Sequence, residues 1–129
     1  MNSQQHGMPI LVVDDEEDMC WALQRILEAE GHEPTVAMNA EEAVRALEKK
    51  AFCLAFVDAK LPDMDGLDLA VRMRAICPTL PCVLVSGYLY DDDDLVRAGL
   101  GAGVICGFIG KPFLLKQVHD AMQFAVVPA

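Results

Sequence analysis

Apolar runs of strand length alternate along the chain with segments whose apolar residues recur at helical spacing. The strand candidates are Pro9–Val13, Glu33–Ala37, 52–57, 82–85 and 104–109. The run at 52–57 has no polar interruption, which is typical of a central parallel strand covered on both faces. It ends at a carboxylate, Asp58, followed by the turn-rich segment AKLPDMDG. Ligands of open parallel sheets bind outside the carboxyl ends of the strands, so Asp58 lies where chemistry is expected.

The segments between the strands predict five helices. They run from the acids at 14–18 to Gly31, over Ala40–Lys49, over Gly66–Ile76, over 95–98 and over 113–124. The inward residues of the first are predicted to be Trp21, Leu23, Ile26 and Leu27, and those of the last Leu114, Leu115, Val118, Ala121 and Met122. Five of the nine glycines fall within 99–110, which predicts a short fourth helix. Strands and helices in this alternation predict a doubly wound α/β domain.

Composition and charge narrow the class of protein. The chain has 129 residues, which fits one domain, and 53% of them are hydrophobic. The net charge of −10 disfavours binding to nucleic acid or to an anionic membrane. No apolar run reaches the roughly 20 residues of a membrane helix, and the N-terminus lacks the features of a signal peptide. Five cysteines without zinc-type spacing predict free thiols in a reducing cytoplasm.

Polar residues follow four of the predicted strands. Asp14 and Asp15 follow the first, Asp58 the third, Ser86 the fourth and Lys111 the fifth. The carboxyl ends of parallel strands share one edge of the sheet, so these side chains should converge. Three converging carboxylates repel one another, and Mg²⁺ with carboxylate, carbonyl and water ligands offsets that repulsion. The cation, an ammonium and a hydroxyl together match the oxygens of a phosphoryl group in transfer, with Asp58 as the nucleophile.

Read together, these residues resemble the receiver domain of two-component response regulators. The resemblance runs from ILVVDDEEDM through LAFVDAKLPDMDGLDL and VLVSGY to GFIGKPF. It implies a five-stranded parallel sheet in the order 2-1-3-4-5, of the flavodoxin-like and CheY-like type. It also implies a flexible tail over residues 1–8, a receiver domain over 9–126 and no output domain in this chain.

The resemblance assigns a role to each residue of the expected metal site. Asp58 is similar to the phospho-accepting aspartate, which is also a ligand of Mg²⁺. Asp15 resembles the direct Mg²⁺ ligand and Asp14 the ligand that acts through water. The backbone carbonyl of Lys60 completes the protein ligands.

The resemblance also implies a switch. Ser86 is similar to the hydroxyl that turns toward the phosphoryl group, and Lys111 to the lysine that pairs with it. Phe108 occupies the switch aromatic position, and Lys111–Pro112 corresponds to a cis peptide bond.

The chain departs from the family pattern at several positions. Val104 and Ile105 replace the usual Gly-Ala before the fifth strand, so the fourth helix and the loop after it are expected to be displaced. Phe108 has no hydroxyl, so a switch there acts by steric burial. Lys60 and Tyr88 lie beside the phosphoryl position, and we expect them to alter autodephosphorylation.

The implied function is a cytoplasmic phospho-acceptor, a signalling domain and not an enzyme, which promotes only its own phosphorylation and slow dephosphorylation. A histidine kinase or histidine phosphotransfer protein donates to Asp58. The face made by helix four, strand five and helix five then signals to a downstream protein or to an output domain outside this chain. The alternative is a constitutive interaction module that keeps the fold without phosphorylation. A flavin-binding protein would need a phosphate-binding loop, and an aspartate-nucleophile phosphatase a D-x-D pair; Ala59 and Lys60 follow Asp58 instead.

Overall fold

Strands and helices alternate through the computed structural model, which describes residues 7–87 and 93–127. In chain order they are β1 (Pro9–Val13), α1 (Glu17–Ala29), β2 (Glu33–Ala37), α2 (Ala40–Lys49), β3 (Leu54–Asp58), α3 (Gly66–Ile76), β4 (Cys82–Ser86), α4 (Asp94–Gly101), β5 (Gly107–Gly110) and α5 (Leu115–Ala121), followed by a 3₁₀ turn at Met122–Phe124. The strands form one parallel sheet in the order β2-β1-β3-β4-β5. The predicted fold and strand order are confirmed.

The central strand β3 is buried along its whole length, and successive side chains point to opposite faces of the sheet. Ala55 and Val57 pack with the apolar residues of α2, α3 and α4. Leu54 and Phe56 pack with those of α1 and α5. Two helical layers therefore cover the sheet, and the uninterrupted apolar run of β3 is a consequence of that double coverage.

The predicted third strand begins and ends too early. Phe52 and Cys53 are buried ahead of the strand, while Asp58 is its last residue and lies opposite Val85 of β4. The strand bounds follow the pairing with both neighbours, which the apolar run alone does not encode. As a result, the strand itself holds Asp58 in place.

The fourth helix continues three residues beyond the predicted end at Ala98. Gly99 lies where a Cβ atom would be 3.0 Å from Leu67 Cδ2 and 3.3 Å from Ile105 Cγ1, so this glycine allows α4 to approach α3. The N–H groups of Val104 and Ile105 donate to the Gly99 carbonyl at 2.9 and 3.3 Å. These two residues close the end of the helix, and for that reason the fifth strand begins at Gly107 and not at 104.

Three predicted inward residues are exposed. Trp21 is 63% exposed and lies under the guanidinium of Arg25, 5.6 Å from the ring centroid, while Cys20 takes the inward position in α1. Leu114 and Leu115 are 68% and 62% exposed because α5 begins only at Leu115 and its buried side starts at Val118. The predictions for these three side chains were wrong.

The end of the predicted N-terminal tail belongs to the fold. Met8 is buried, and its carbonyl accepts from Glu33 N–H at 2.9 Å; Gly7 N–H donates to the Gly31 carbonyl at 2.8 Å. Residues 1–6 lie outside the described part of the chain. Among the helices that the structure describes, none has the length and hydrophobicity needed to cross a bilayer.

Candidate functional site

The carboxyl ends of four strands bring the predicted residues to one edge of the sheet. Asp14 follows β1, and its N–H donates to the Ala37 carbonyl at 3.0 Å. Asp58 and Ser86 end β3 and β4, and Lys111 follows β5, where its N–H donates to the Ser86 carbonyl at 2.8 Å. Asp14, Asp58 and Ser86 are 2%, 6% and 1% exposed. Polar groups that are this deeply buried need one another as partners.

The ammonium group of Lys111 lies among three carboxylates. Its Nζ is 2.9 Å from Asp14 Oδ2, 2.7 Å from Glu16 Oε1 and 3.5 Å from Asp58 Oδ2. Burial alone lowers the pKa of Lys111, but the hydrogen bonds to Glu16 and Asp14 outweigh it and leave the pKa raised. Three negative charges therefore surround one fixed positive charge, and the cluster still carries an excess of negative charge.

The electrostatics of Asp58 reflect that excess. Burial, and after it the Asp14 carboxylate, raise the pKa of Asp58 from 3.8 to about 6. The Lys111 ammonium and the Lys60 N–H, which lies 3.5 Å from Asp58 Oδ1, act in the opposite direction. With a pKa of about 6, the carboxylate is mostly ionised at neutral pH. It is also destabilised by its surroundings, which favours the approach of a cation.

Carboxylate oxygens of Asp14, Glu16 and Asp58 lie within 4.8 Å of one another. Hard oxygen donors at such spacing suit Mg²⁺, which is bound by one or two carboxylates and keeps several waters. Beside them is a cavity of about 390 Å³, lined by Asp15, Glu16, Asp58, Lys60, Leu61 and Pro62. Asp15 is exposed and belongs to the wall of this cavity, not to the three-carboxylate cluster, so its assignment as direct ligand stays a prediction.

Glu16 is the residue of the cluster that the sequence predictions missed. It was grouped with the acids that favour the start of the first helix, and its contact with Lys111 spans 95 positions. Its N–H donates to Asp14 Oδ1 at 2.9 Å, a short-range bond between residues two apart. The sequence does show that Glu16 follows Asp14 by two positions. It does not show in which direction the long Glu16 side chain points.

The loop after β3 holds Asp58 close to α3. Gly66 N–H donates to the Ala59 carbonyl at 2.7 Å, and a Cβ on Gly66 would lie 2.1 Å from the Asp58 carbonyl oxygen. Only glycine fits there. Asp63 accepts from the N–H groups of Ala40 and Glu41 at 2.9 and 3.1 Å, and these bonds lower its pKa. Asp63 therefore caps the N-terminus of α2, a helix more than twenty positions earlier in the chain.

The predicted switch residues lie on adjacent strands. Ser86 is opposite Gly110, and Phe108, which is half-buried, is opposite Leu84. The Lys111–Pro112 peptide bond is cis. Tyr88, the other residue expected to affect dephosphorylation, lies outside the described residues.

The remaining titratable side chains do not add a second centre in the described part of the chain. All five cysteines are free thiols, as predicted, and burial raises the pKa of Cys20 to about 11 and that of Cys82 to about 12. His119 Nδ1 on α5 lies 3.1 Å from Oε1 of Glu30, the residue that follows α1.

Comparisons with known proteins match this architecture to one family. The response regulator receiver domain family matches residues 10–123. Sporulation initiation phosphotransferase F of Bacillus subtilis is 27% identical over 114 residues, which cover 88% of this chain and 90% of that protein. The alkaline phosphatase synthesis regulator PhoP of the same organism is 31% identical, and the match spans 46% of its length.

Solved structures give the same result. A CheY-like receiver domain protein from Methanospirillum hungatei is 31% identical with a TM-score of 0.81, and the match covers 91% of each chain. The response regulator TrrA from Thermotoga maritima, solved in complex with Mg²⁺ and BeF, is 26% identical with a TM-score of 0.78, over 90% of this chain and 96% of that one. With its sheet order and the Asp14, Asp58 and Lys111 edge, the chain belongs to the response regulator receiver domain family.

Proposed function

We propose that this receiver domain accepts a phosphoryl group on Asp58 from a phosphohistidine of a kinase or phosphotransfer protein. The observation that carries the proposal is the buried Asp58 carboxylate, with the Lys111 ammonium 3.5 Å from it. A carboxylate oxygen of Asp58 attacks phosphorus, the P–N bond to the donor imidazole breaks, and an acyl phosphate forms. The imidazole leaves with the electron pair and takes up a proton.

The chain's own residues support each part of this step. Asp58, Asp15 and the Lys60 carbonyl would hold Mg²⁺, with Asp14 acting through a water molecule. When bound, Mg²⁺ would neutralise charge on the transferring phosphoryl group. Lys111 pairs with a phosphoryl oxygen.

Ser86 donates its hydroxyl to another phosphoryl oxygen. Phe108, which has no hydroxyl, responds by deeper burial. The resulting equilibrium shift reaches the face made by α4, β5 and α5, to which the exposed Leu95 and Leu115 belong.

The partners follow from the same proposal. The phosphodonor is a histidine kinase or a histidine phosphotransfer protein, and the target is a downstream protein or an output domain outside this chain. The net charge of −10 disfavours nucleic acid as a ligand of the domain itself. Free thiols support a cytoplasmic location.

The test is incubation with acetyl phosphate or beryllofluoride, with and without Mg²⁺, followed by intact mass and NMR. We expect a Mg²⁺-dependent adduct or spectral change that disappears in Asp58→Asn. Asp68→Asn, which changes an exposed aspartate on α3, is the matched control and should respond like the wild type. An adduct that persists in Asp58→Asn would refute the assignment of the acceptor. A wild type that binds Mg²⁺ but gives no response would favour a constitutive interaction module.

A further inference from the structure

The Lys111 ammonium is already held by carboxylates before any phosphoryl group is present. An ammonium group carries three N–H donors. Three carboxylates lie around it, and the distances rank them: Glu16 at 2.7 Å, Asp14 at 2.9 Å and Asp58 at 3.5 Å. A phosphoryl group on Asp58 brings new anionic oxygens to Lys111. These oxygens compete with Glu16 and Asp14 for the same ammonium group.

The two closest partners differ in what release would cost them. The Asp14 side chain is 3% exposed, and a buried carboxylate that loses its cation is strongly destabilised. Asp14 is also held on its other oxygen, Oδ1, by the Glu16 N–H at 2.9 Å. The Glu16 side chain is 59% exposed, so water can solvate its carboxylate as soon as the contact breaks. Breaking the contact of Lys111 with Glu16 therefore costs less than breaking its contact with Asp14.

We propose that Glu16 is a positioning residue that holds Lys111 in the resting state and releases it when the phosphoryl group forms. Glu16 then competes with the phosphoryl group for one ammonium and lowers the affinity of the site for it. The inference rests on the proposed function, because it concerns the same transfer to Asp58.

The size of the competition follows from the exposure of the pair. Ion pairs between exposed side chains change equilibria by roughly 1.4- to 5-fold. The Lys111 side chain is only 11% exposed, which reduces screening by solvent. We therefore expect Glu16→Gln to raise the affinity for beryllofluoride by about three- to tenfold at saturating Mg²⁺.

The experiment compares four proteins by NMR titration with beryllofluoride at saturating Mg²⁺, after separate titration with Mg²⁺ alone. Glu17→Gln removes the same charge from the next residue, also exposed in the first turn of α1, and calibrates the general effect of charge. Glu16→Asp keeps the charge but shortens the side chain by one methylene. The proposal expects tighter beryllofluoride binding in both Glu16 variants, a change below about twofold in Glu17→Gln, and similar Mg²⁺ affinity in the two Gln variants.

Other results would overturn the proposal in distinguishable ways. Equal effects of Glu16→Gln and Glu17→Gln would mean that only net charge matters. Mg²⁺ binding weakened more than tenfold by Glu16→Gln alone would identify Glu16 as a metal ligand. Weaker beryllofluoride binding would show that Glu16 orients Lys111 productively. A wild type without any beryllofluoride response would refute the proposed function and this inference together.

Discussion

Replacing Asp58 by asparagine should stabilise the protein in the absence of Mg²⁺, and the stabilisation should depend on pH. The pKa of Asp58 is raised from 3.8 to about 6, chiefly by burial and then by Asp14. The folded state therefore binds the Asp58 proton more tightly than the unfolded state. The contribution to stability is fully present below pH 3.8 and is lost as the pH rises through about 6. Asparagine cannot ionise, so the variant does not undergo this loss of stability in this pH range.

The magnitude follows from the same shift. One pKa unit corresponds to about 1.36 kcal/mol, so ionisation of Asp58 costs the fold up to about 3 kcal/mol. Exposed residues line the adjoining cavity, so screening by solvent there reduces the figure to about 1–2 kcal/mol. For a chain of this size, that corresponds to a melting temperature roughly 4–8 °C higher in Asp58→Asn than in the wild type at pH 7.5.

The assay is urea and thermal unfolding of both proteins in EDTA, at steps between pH 4 and pH 8. The two proteins share every other ionisable group, so the difference between them reports the charge at residue 58 together with its coupling to Asp14 and Lys111. We expect the difference to grow between pH 4 and pH 6 and then to level off. Asp68→Asn, an exposed change of the same kind, should show no such dependence.

The reasoning would be refuted by an Asp58→Asn variant less stable than the wild type at pH 7.5. A difference that does not change with pH would refute it as well. Either result would mean that the attraction to Lys111 exceeds both burial and repulsion by Asp14. Added Mg²⁺ should narrow the gap, since it stabilises the ionised site of the wild type more than that of the variant.

Two further predictions concern α4 and the loop after β3. Gly101→Ala should stabilise α4 by up to about 1 kcal/mol, because a Cβ there meets nothing within 4 Å. Gly99→Ala should stabilise it less or destabilise it, because the new Cβ would crowd Leu67. Chemical denaturation of the two variants measures both effects. Lys60→Asn should change the lifetime of the acyl phosphate severalfold, because Lys60 lines the cavity beside Asp58; phosphoryl decay in the two proteins measures it, and identical lifetimes would contradict the expectation.

The convergence of the site could be predicted because it depends on strand ends alone. A parallel sheet fixes which ends share an edge, and the acid, hydroxyl and lysine follow the apolar runs directly. Asp58, Ser86 and Lys111 lie within one residue of a strand end. The predicted carboxyl ends of β3, β4 and β5 were each one residue short, which did not matter because the side chains that close each run still reach the same edge.

The bounds of α4 and β5 could not be predicted, because they depend on contacts between distant segments. A glycine usually weakens a helix, and the local signal at Gly99 therefore indicated a helix end. A Cβ at this position would crowd Leu67 and Ile105, so the close packing favours glycine inside the helix here. Likewise, the exposure of Leu114 and Leu115 depends on where α5 begins, which their hydrophobicity does not reveal.

Glu16 shows the same limit at the site itself. Five acids in a row, from Asp14 to Asp18, look alike in the sequence, but the end of β1 buries the first and leaves the other four exposed. Of those four, Glu16 meets Lys111, because its N–H binds Asp14 and its side chain is long enough to reach the same ammonium that Asp14 holds. The metal ligands expected from the family need only strand ends, whereas the proposed release of Lys111 depends on one flexible side chain, that of Glu16. If the proposal holds, receiver domains with the same acceptor, lysine and hydroxyl will differ in phosphoryl affinity according to the residue at this position.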